Sequence, residues 1–375
     1  MFVSSMIQRF STSSFMALRA AEIQLAPLTV LIGPNAAGKS SVLQALSLLC
    51  SLATQRWSPL LEDLDQLRTL GRADTVRLDL SGRWTIPGGE VSGHAKLEAQ
   101  REQTRGRSGW RLLMEGSWGD QVFRAPDYQD SHGRALGADL PGLGAALLST
   151  PVLRMDKRAL AAPSFTEPPH TIGEDGAGLA SALAEMAATE PELFEQLQEI
   201  LRGVIPGVRR LRLARIQRTV QDPEHGQYTS WGHELFFDMT QVTRLPARLV
   251  SEGTLLVLGL LTVLLRTRPR LVLLDDVDHG LHPLAQADLI RQLRTLQTER
   301  PGLQIVATTH SPILLEQLAP QEIRMLVSDD EGMALVGNMD EHPEYSQWKD
   351  LMGPGEFWSA VGERWLKQRT TPGRD

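Results

Sequence analysis

The chain has one cysteine in 375 residues, Cys50. An intrachain disulfide is excluded, and a reducing compartment such as the cytoplasm is expected. Positive charge is not in excess either, because the formal net charge is −7. A protein that coats nucleic acid is usually basic. Any DNA contact here must be local or made with a partner. Long apolar runs are also missing. The longest, Leu255 to Leu265, spans about 17 Å as a helix, against roughly 30 Å of bilayer. It reads as a core helix, and no membrane contact is expected. Ser4, Ser5, Gln8 and Arg9 interrupt the first residues before an apolar segment builds up, so no secretion signal is expected. Internal repeats, low-complexity tails and long heptad patterns are absent from the sequence.

What is present is an ordinary globular composition, 42% hydrophobic and 22% charged. The length allows two lobes at about 150 residues each. One stretch organises the rest: Leu28-Thr29-Val30-Leu31-Ile32-Gly33-Pro34-Asn35-Ala36-Ala37-Gly38-Lys39-Ser40-Ser41. It opens as a buried strand and then matches G-x-x-x-x-G-K-[ST] from Gly33 to Ser40. Val42, Leu43, Ala45, Leu46, Leu48 and Leu49 follow at helical spacing. Strand, glycine loop and helix are the context a phosphate-binding loop requires. The glycines let backbone N–H groups turn inward onto phosphate oxygens, and the helix N-terminus adds partial positive charge. Lys39 is placed to reach β- and γ-phosphates, and Ser40 to put its hydroxyl on Mg2+.

Before that loop, residues 1–32 read as strand, turn, strand. After it, a short helix is expected at Leu61–Leu67. Strands at Thr75–Leu80, Val91–Leu97, Trp110–Met114 and Gln121–Arg124 suggest an antiparallel sheet. Residues 99–109 read as a polar, Arg-rich loop. Residues 125–177 have no clear period and read as irregular, with a short helix near Leu143–Leu148. Helices are expected from Leu179 and from Pro191. A strand over Val208–Val220 pairs with Glu234–Met239 across an Asp222–Trp231 loop. A single helix over Glu356–Gln368 closes the chain.

Three further stations carry chemistry. Leu271-Val272-Leu273-Leu274 is an apolar strand ending in Asp275, a carboxylate suited to orient Mg2+ opposite the loop serine. Asp276 follows, where a general base for an attacking water would stand. The strand Ile305–Thr309 ends at His310. Beside the Asp275 strand in a parallel sheet, it would bring that imidazole to the ligand crevice. Ser251-Glu252-Gly253 before the long apolar helix reads by itself only as a helix cap. Arg202, Arg209, Arg210, Arg212, Arg215 and Arg218 form a run without one acid. Such a run contacts phosphates or forms a solvated face, and Arg209, Arg210 and Arg212 are the candidates for local DNA contact.

The ordered segments LTVLIGPNAAGKSS, LVSEGTLLVLGLL, LVLLDDVDHGLHP and IVATTHSPILLEQL resemble the ABC-type ATPases of the SMC, RecF and OLD group, within the AAA-type ATPase core family. The resemblance covers residues 7–50 and 178–320. It implies an α/β P-loop NTPase: an ABC-type head with a parallel core sheet, an antiparallel β-subdomain and a helical signature lobe. It implies one such domain over 1–375, divided into a nucleotide-binding lobe at 1–125, an inserted lobe at 126–265 ending in the signature, a Walker B and switch-histidine part at 266–330, and an extension at 331–375. ATP would lie on Gly33, Pro34, Asn35, Ala36, Ala37, Gly38, Lys39, Ser40 and Ser41. Mg2+ would be held by Ser40 and Asp275. Asp276 would be the catalytic carboxylate, His310 the switch histidine, and Gly280–His282 part of the D-loop. Ser251, Glu252 and Gly253 would act on ATP bound by a second subunit of a head-to-tail homodimer. The implied activity is ATP hydrolysis driving a partner effector, a nuclease or similar, or a DNA transaction in repair or anti-phage defence.

There are departures from the family pattern. Asp276 stands where the family has Glu, one methylene longer. Glu252 and Thr254 replace the usual Gly and Gln of the signature. The Q-loop glutamine has only Gln66 as a candidate. No acidic cluster after residue 320 suggests a Toprim nuclease. The rival readings are the ATP-binding subunit of a transporter and a regulatory switch with very slow hydrolysis.

Overall fold

The computed structural model describes residues 6–54, 64–69, 73–104, 107–124, 141–165, 170–222 and 226–370. The chain forms two compact units. One comprises Met1–Val152, Pro269–Val277 and Leu296–Asp375, and the other Leu153–Arg268 and Asp278–Thr295.

The first unit contains two sheets of six strands. One runs in the order Leu18–Gln24, Met6–Phe15, Thr75–Ile86, Gly89–Thr104, Arg107–Trp118, Gln121–Arg124, with every neighbour antiparallel. The other runs Ala334–Asn338, Ile323–Ser328, Leu28–Ile32, Gln304–Thr308, Leu271–Leu274, Ser149–Leu153. Its four central strands are parallel, and Ala334–Asn338 closes one side as a hairpin. Every residue of Leu28–Ile32, Leu271–Leu274 and Gln304–Thr308 is buried. Unbroken burial is what a parallel strand covered on both faces requires, and it explains why these strands read as solid apolar runs.

The helix Lys39–Ala53 contacts strands of both sheets, and one hydrophobic core joins all three layers. Its apolar residues therefore go all round the helix instead of along one stripe. Gln304 adds a polar tie inside this core. Its Oε1 accepts from the Ile7 N–H at 3.2 Å, and its Nε2 donates to the carbonyls of Ile7 and Ala26 at 2.8 and 3.0 Å.

In the second unit, Val208–Asp222 and Gly226–Met239 form a long hairpin, extended by the two-residue strand Leu245–Pro246. The helices Leu179–Thr189, Pro191–Val204 and Glu252–Thr267 pack together. Asp156 caps the small helix Lys157–Ala161, accepting from the N–H groups of Arg158 and Ala159.

Several expected elements differ. Of residues 99–109, 99–104 and 107–109 are strand and not loop, because Gly89–Thr104 pairs with Arg107–Trp118 out to Thr104 and Arg107, while 105–106 lie outside the described residues. The Asp222–Trp231 loop shrinks, because pairing already begins at Gly226. The closing helix is two helices, Pro354–Val361 and Trp365–Thr370, broken at Gly362 with φ +65°. Positive φ at glycine is a common helix stop. Of the Leu61–Leu67 helix, Leu64–Leu67 is present, and 61–63 lie outside the described residues. Within 125–177, residues 125–140 and 166–169 are likewise outside. The remainder holds the helices Pro141–Ala146 and Lys157–Ala161 and the edge strand Ser149–Leu153. Pro151 lacks an N–H, which suits that strand to a sheet edge.

Gln304→Leu keeps the volume of the side chain and removes the partner of the Ile7 N–H and a donor to the Ile7 carbonyl, while the Ala26 carbonyl keeps the Thr29 hydroxyl at 3.3 Å. The expected loss is about 1–3 kcal/mol, the range for a buried group left unpaired. An unchanged urea midpoint would show that the tie contributes nothing.

Candidate functional site

The strand Leu28–Ile32 delivers the chain into the loop at its carboxyl end. Gly33 has φ +143°, and a Cβ there would lie 2.0 Å from the Leu326 carbonyl oxygen. Gly38 has φ +94°, and a Cβ there would lie 2.7 Å from the Ala334 Cβ. Both positions exclude a side chain by conformation and by space. Lys39 and Ser40 open the following helix. The Lys39 side chain turns back over the loop, and its Nζ donates to the carbonyls of Gly33 and Pro34 at 2.8 and 2.9 Å. Asn35 to Ser41 line a cavity of about 380 Å3 with Met16, Ala17, Asp276 and His310. The structure thus gathers the loop, Asp276 and His310 around one space. Gln66 is exposed on its short helix and does not line that cavity.

Below the loop, Ser40 Oγ donates to Asp275, 3.0 Å from Oδ2 and 3.2 Å from Oδ1. Register explains how Asp275 meets its next partner. Leu274 pairs with Ala307, so Asp275 falls beside Thr308. Thr308 Oγ1 donates to Asp275 Oδ1 at 2.7 Å and accepts the Asp276 N–H at 2.7 Å. The Thr308 carbonyl accepts the Val277 N–H at 3.0 Å. Asp276 has φ +53°, a left-handed conformation that costs a non-glycine residue roughly 1–2 kcal/mol. The hydrogen bonds from its own N–H and from Val277 hold it there. The result aims an exposed carboxylate at the cavity. Sequence reasoning missed Thr308. Its signal was a hydroxyl inside an otherwise apolar strand, two residues before His310.

Ser251, Glu252 and Gly253 belong to the second unit. Ser251 is the N-cap of Glu252–Thr267, and its Oγ accepts from the Thr254 N–H at 3.3 Å. Thr254, in the place of the family glutamine, brings its hydroxyl to 2.7 Å from that same Oγ. Gly253 packs on the segment after Asp278: a Cβ there would lie 2.5 Å from the Gly280 carbonyl oxygen. Glu252 lies 3.3 Å from His279 Nε2. The His282 Nδ1 accepts from the Leu284 N–H at 3.3 Å. The structure therefore brings the signature and Gly280 together within one unit.

A family model described as "AAA domain, putative AbiEii toxin, Type IV TA system" matches residues 28–316. The chain belongs to this family. The loop, Asp275 and His310 of this chain all fall inside the matched span. No curated protein matches the AAA-domain chain. Among solved structures it is similar to an SMC head bound to the C-winged helix domain of ScpA, with TM-score 0.54 and 14% identity over 90% of this chain and 99% of that one. It is also similar to an Smc head with an extended coiled coil bound to the C-terminal domain of ScpA, derived from Pyrococcus furiosus. There the TM-score is 0.51 and the identity 13%, over 92% of this chain and 99% of that one. The fold is that of an ABC-type P-loop ATPase head.

The arginine run of this AAA-domain chain does not form one free patch. Arg202 pairs with Glu195 and Arg212 with Asp238. Arg215 stacks over Trp231 and Arg218 over Phe165, each with its guanidinium carbon 4.1 Å from the ring centroid.

Thr308 yields a test. Thr308→Val keeps the shape but leaves the Asp276 N–H without its acceptor, at a cost of about 1–3 kcal/mol. Thr308→Ser keeps the hydroxyl and loses one methyl. The valine variant should unfold at the lower urea concentration. Equal midpoints for the two variants would mean that the hydroxyl does not hold the segment.

Proposed function

We propose that this chain binds ATP with Mg2+ in the loop cavity and hydrolyses it slowly. We place each site between two copies arranged head to tail, whose closure drives a partner effector. The supporting observation is the convergence of Lys39, Asp276 and His310 on one cavity, with the Ser40 hydroxyl bonded to Asp275 beneath it.

The residues fit such a ligand. Gly33 and Gly38 leave room where side chains would intrude. The Lys39 ammonium sits on two neutral carbonyls, which phosphate oxygens would replace with charged acceptors. One hydroxyl and one carboxylate are hard oxygen donors of the kind Mg2+ takes beside substrate phosphates, so Ser40 and Asp275 would hold it. When bound, the ion supplies positive charge against the phosphate oxygens. Asp276 is the general base of this reading, taking a proton from the attacking water, and His310 contacts the phosphoryl end. A shorter side chain on a backbone fixed by Thr308 reaches less far than glutamate would, which favours slow turnover and a switch-like role. The exposed Ser251 at a helix N-terminus is the group offered to the other copy. A partner protein fits the description of the two similar structures, each bound to a ScpA domain. A DNA transaction or defence response would be the setting. Arg209, Arg210 and Arg212 would be the DNA contacts, with Arg212 already committed to Asp238.

Lys39→Ala should abolish ATP binding in calorimetry, and unchanged affinity would remove the loop from the reading. Asp276→Asn should bind ATP and lose turnover by about 10²–10⁴-fold. The shared site is tested by mixing. Ser251→Arg is the better blocking variant, because any side chain at Gly253 meets the Gly280 carbonyl inside the same chain. Ser251→Arg alone and Lys39→Ala alone should both be inactive. Their heterodimer holds one doubly broken site and one intact site, so the mixture should recover ATPase activity. Wild-type protein that stays monomeric with ATP and Mg2+, and turns over at a rate independent of its concentration, would sink the shared site.

A further inference from the structure

The second unit holds a cavity of about 600 Å3, larger than the loop cavity of about 380 Å3. It lies at the root of the Val208–Asp222 and Gly226–Met239 hairpin; ATP binding in the proposed function does not use it, and Arg210 and Arg212 enter that reading only as DNA contacts. The strand register builds its floor. Arg212 stands opposite Phe236, and Arg210 opposite Asp238. Phe194, from the helix Pro191–Val204, and Arg244, from the turn after the hairpin, supply the walls.

Asp238 organises the charge. Its side chain is 11% exposed. It accepts from Arg212 Nε at 2.9 and 2.7 Å, from Arg212 Nη2 at 2.7 Å and from the Arg244 N–H at 2.9 Å. The Arg212 hydrogen bond, then the Arg244 N–H, holds its carboxyl below the usual carboxylate range. Arg244 has φ +56°, an unfavourable conformation for arginine that this hydrogen bond helps to retain. The Arg244 guanidinium carbon lies 5.3 Å from the centroid of the Phe236 ring. Among the described residues, neither Arg210 nor Arg244 forms an ion pair. Arg210, Arg212 and Arg244 line the cavity and only Arg212 is paired with Asp238, so the cavity carries a surplus of positive charge.

We infer that this cavity binds a nucleoside phosphate, its phosphate on the Arg210 and Arg244 guanidinium groups and its flat base against the Phe194 and Phe236 side of the wall. Guanidinium forks match phosphate oxygens in shape and charge. Aromatic side chains favour a flat ring over an aliphatic chain. The volume falls within the roughly 300–1,000 Å3 of ordinary small-ligand sites. The same chemistry comes from two sources, a free mononucleotide or the terminal nucleotide of a strand. The proposal is independent of the loop cavity, because a monophosphate lacks the outer phosphates that Lys39 is placed to reach.

The test uses the full chain in calorimetric titrations. The probes are AMP, GMP, CMP, UMP, inorganic phosphate and a 5′-phosphorylated four-residue oligothymidylate. At least one nucleotide or the oligonucleotide should bind, and inorganic phosphate at least tenfold more weakly. Binding should weaken as salt is raised. Arg210→Ser combined with Arg244→Gly should lower the affinity at least tenfold and leave ATP affinity unchanged. Glycine accepts the backbone conformation at 244, so this variant removes the charge without adding strain. Arg210→Ser alone, at an exposed strand position, should lower affinity in the same direction and guards against misfolding of the double variant. Phe236→Leu should weaken the nucleotides and spare inorganic phosphate. Tighter mononucleotide binding assigns a free nucleotide, and tighter oligonucleotide binding assigns a strand end. The inference is overturned if no probe binds at millimolar concentration, if both arginine variants bind like wild type, or if inorganic phosphate binds as tightly as the nucleotides.

Discussion

The parallel register of three strands is the constraint on which the loop cavity depends. Val30 pairs with Ala307, and Ala307 pairs with Leu274. The three strands then end within two residues of one level, and Gly33, Asp275 and Thr309 are the first residues beyond them. Shifting the Gln304–Thr308 strand by one residue would turn Thr308 to the other face and take its hydroxyl from Asp275. Complete burial of the strands on both faces makes that slip costly, since each face must exchange its fitted side chains. The chemistry at the carboxyl end is therefore positioned by apolar packing several residues away.

Much of this was legible in the sequence, and the reasons differ from place to place. The loop at Gly33–Ser40 was legible because its glycines meet local demands that few other residues satisfy. The strands ending at Asp275 and His310 were legible because double-sided burial writes itself as an unbroken apolar run. Thr308 was not, since its role comes from partners 32 and 33 residues away. The outer parts of both long hairpins were missed for another reason. The sequence of Gln100–Thr104 is polar throughout and Gln227–Thr229 is exposed, so no alternation marks them as strands. Gly362 was hidden inside an apolar stripe, where Phe357 and Trp365 are buried on either side of the break. The arginine run misled in a different way. A one-dimensional count of charges does not show that Glu195, Asp238, Trp231 and Phe165 come to meet four of them.

The two cavities use different kinds of positive charge. Around the loop, one buried lysine is matched to backbone carbonyls. In the second unit, arginines are matched to aromatic faces and to carboxylates such as Asp238 and Glu195. Lysine acts there as a compact point charge, whereas the guanidinium plane both stacks and forks. The acidic balance of the whole chain does not reveal this difference, because it resides in which atoms the cations at each cavity touch.

The posture of Lys39 has a consequence for how the loop meets any anion. Its long side chain is already ordered, so ligand arrival forfeits little of the up to about 2 kcal/mol of rotamer entropy that a free lysine would lose. Against that, two hydrogen bonds of about 0.5–1.5 kcal/mol each must be given up. The two effects are of similar size and opposite sign, so the equilibrium affinity hardly registers the arrangement. Its mark falls on kinetics, where the ammonium must leave two carbonyls before it reaches an oxygen of the ligand. Encounter and engagement become separate steps, and the second is paced by a single side chain letting go.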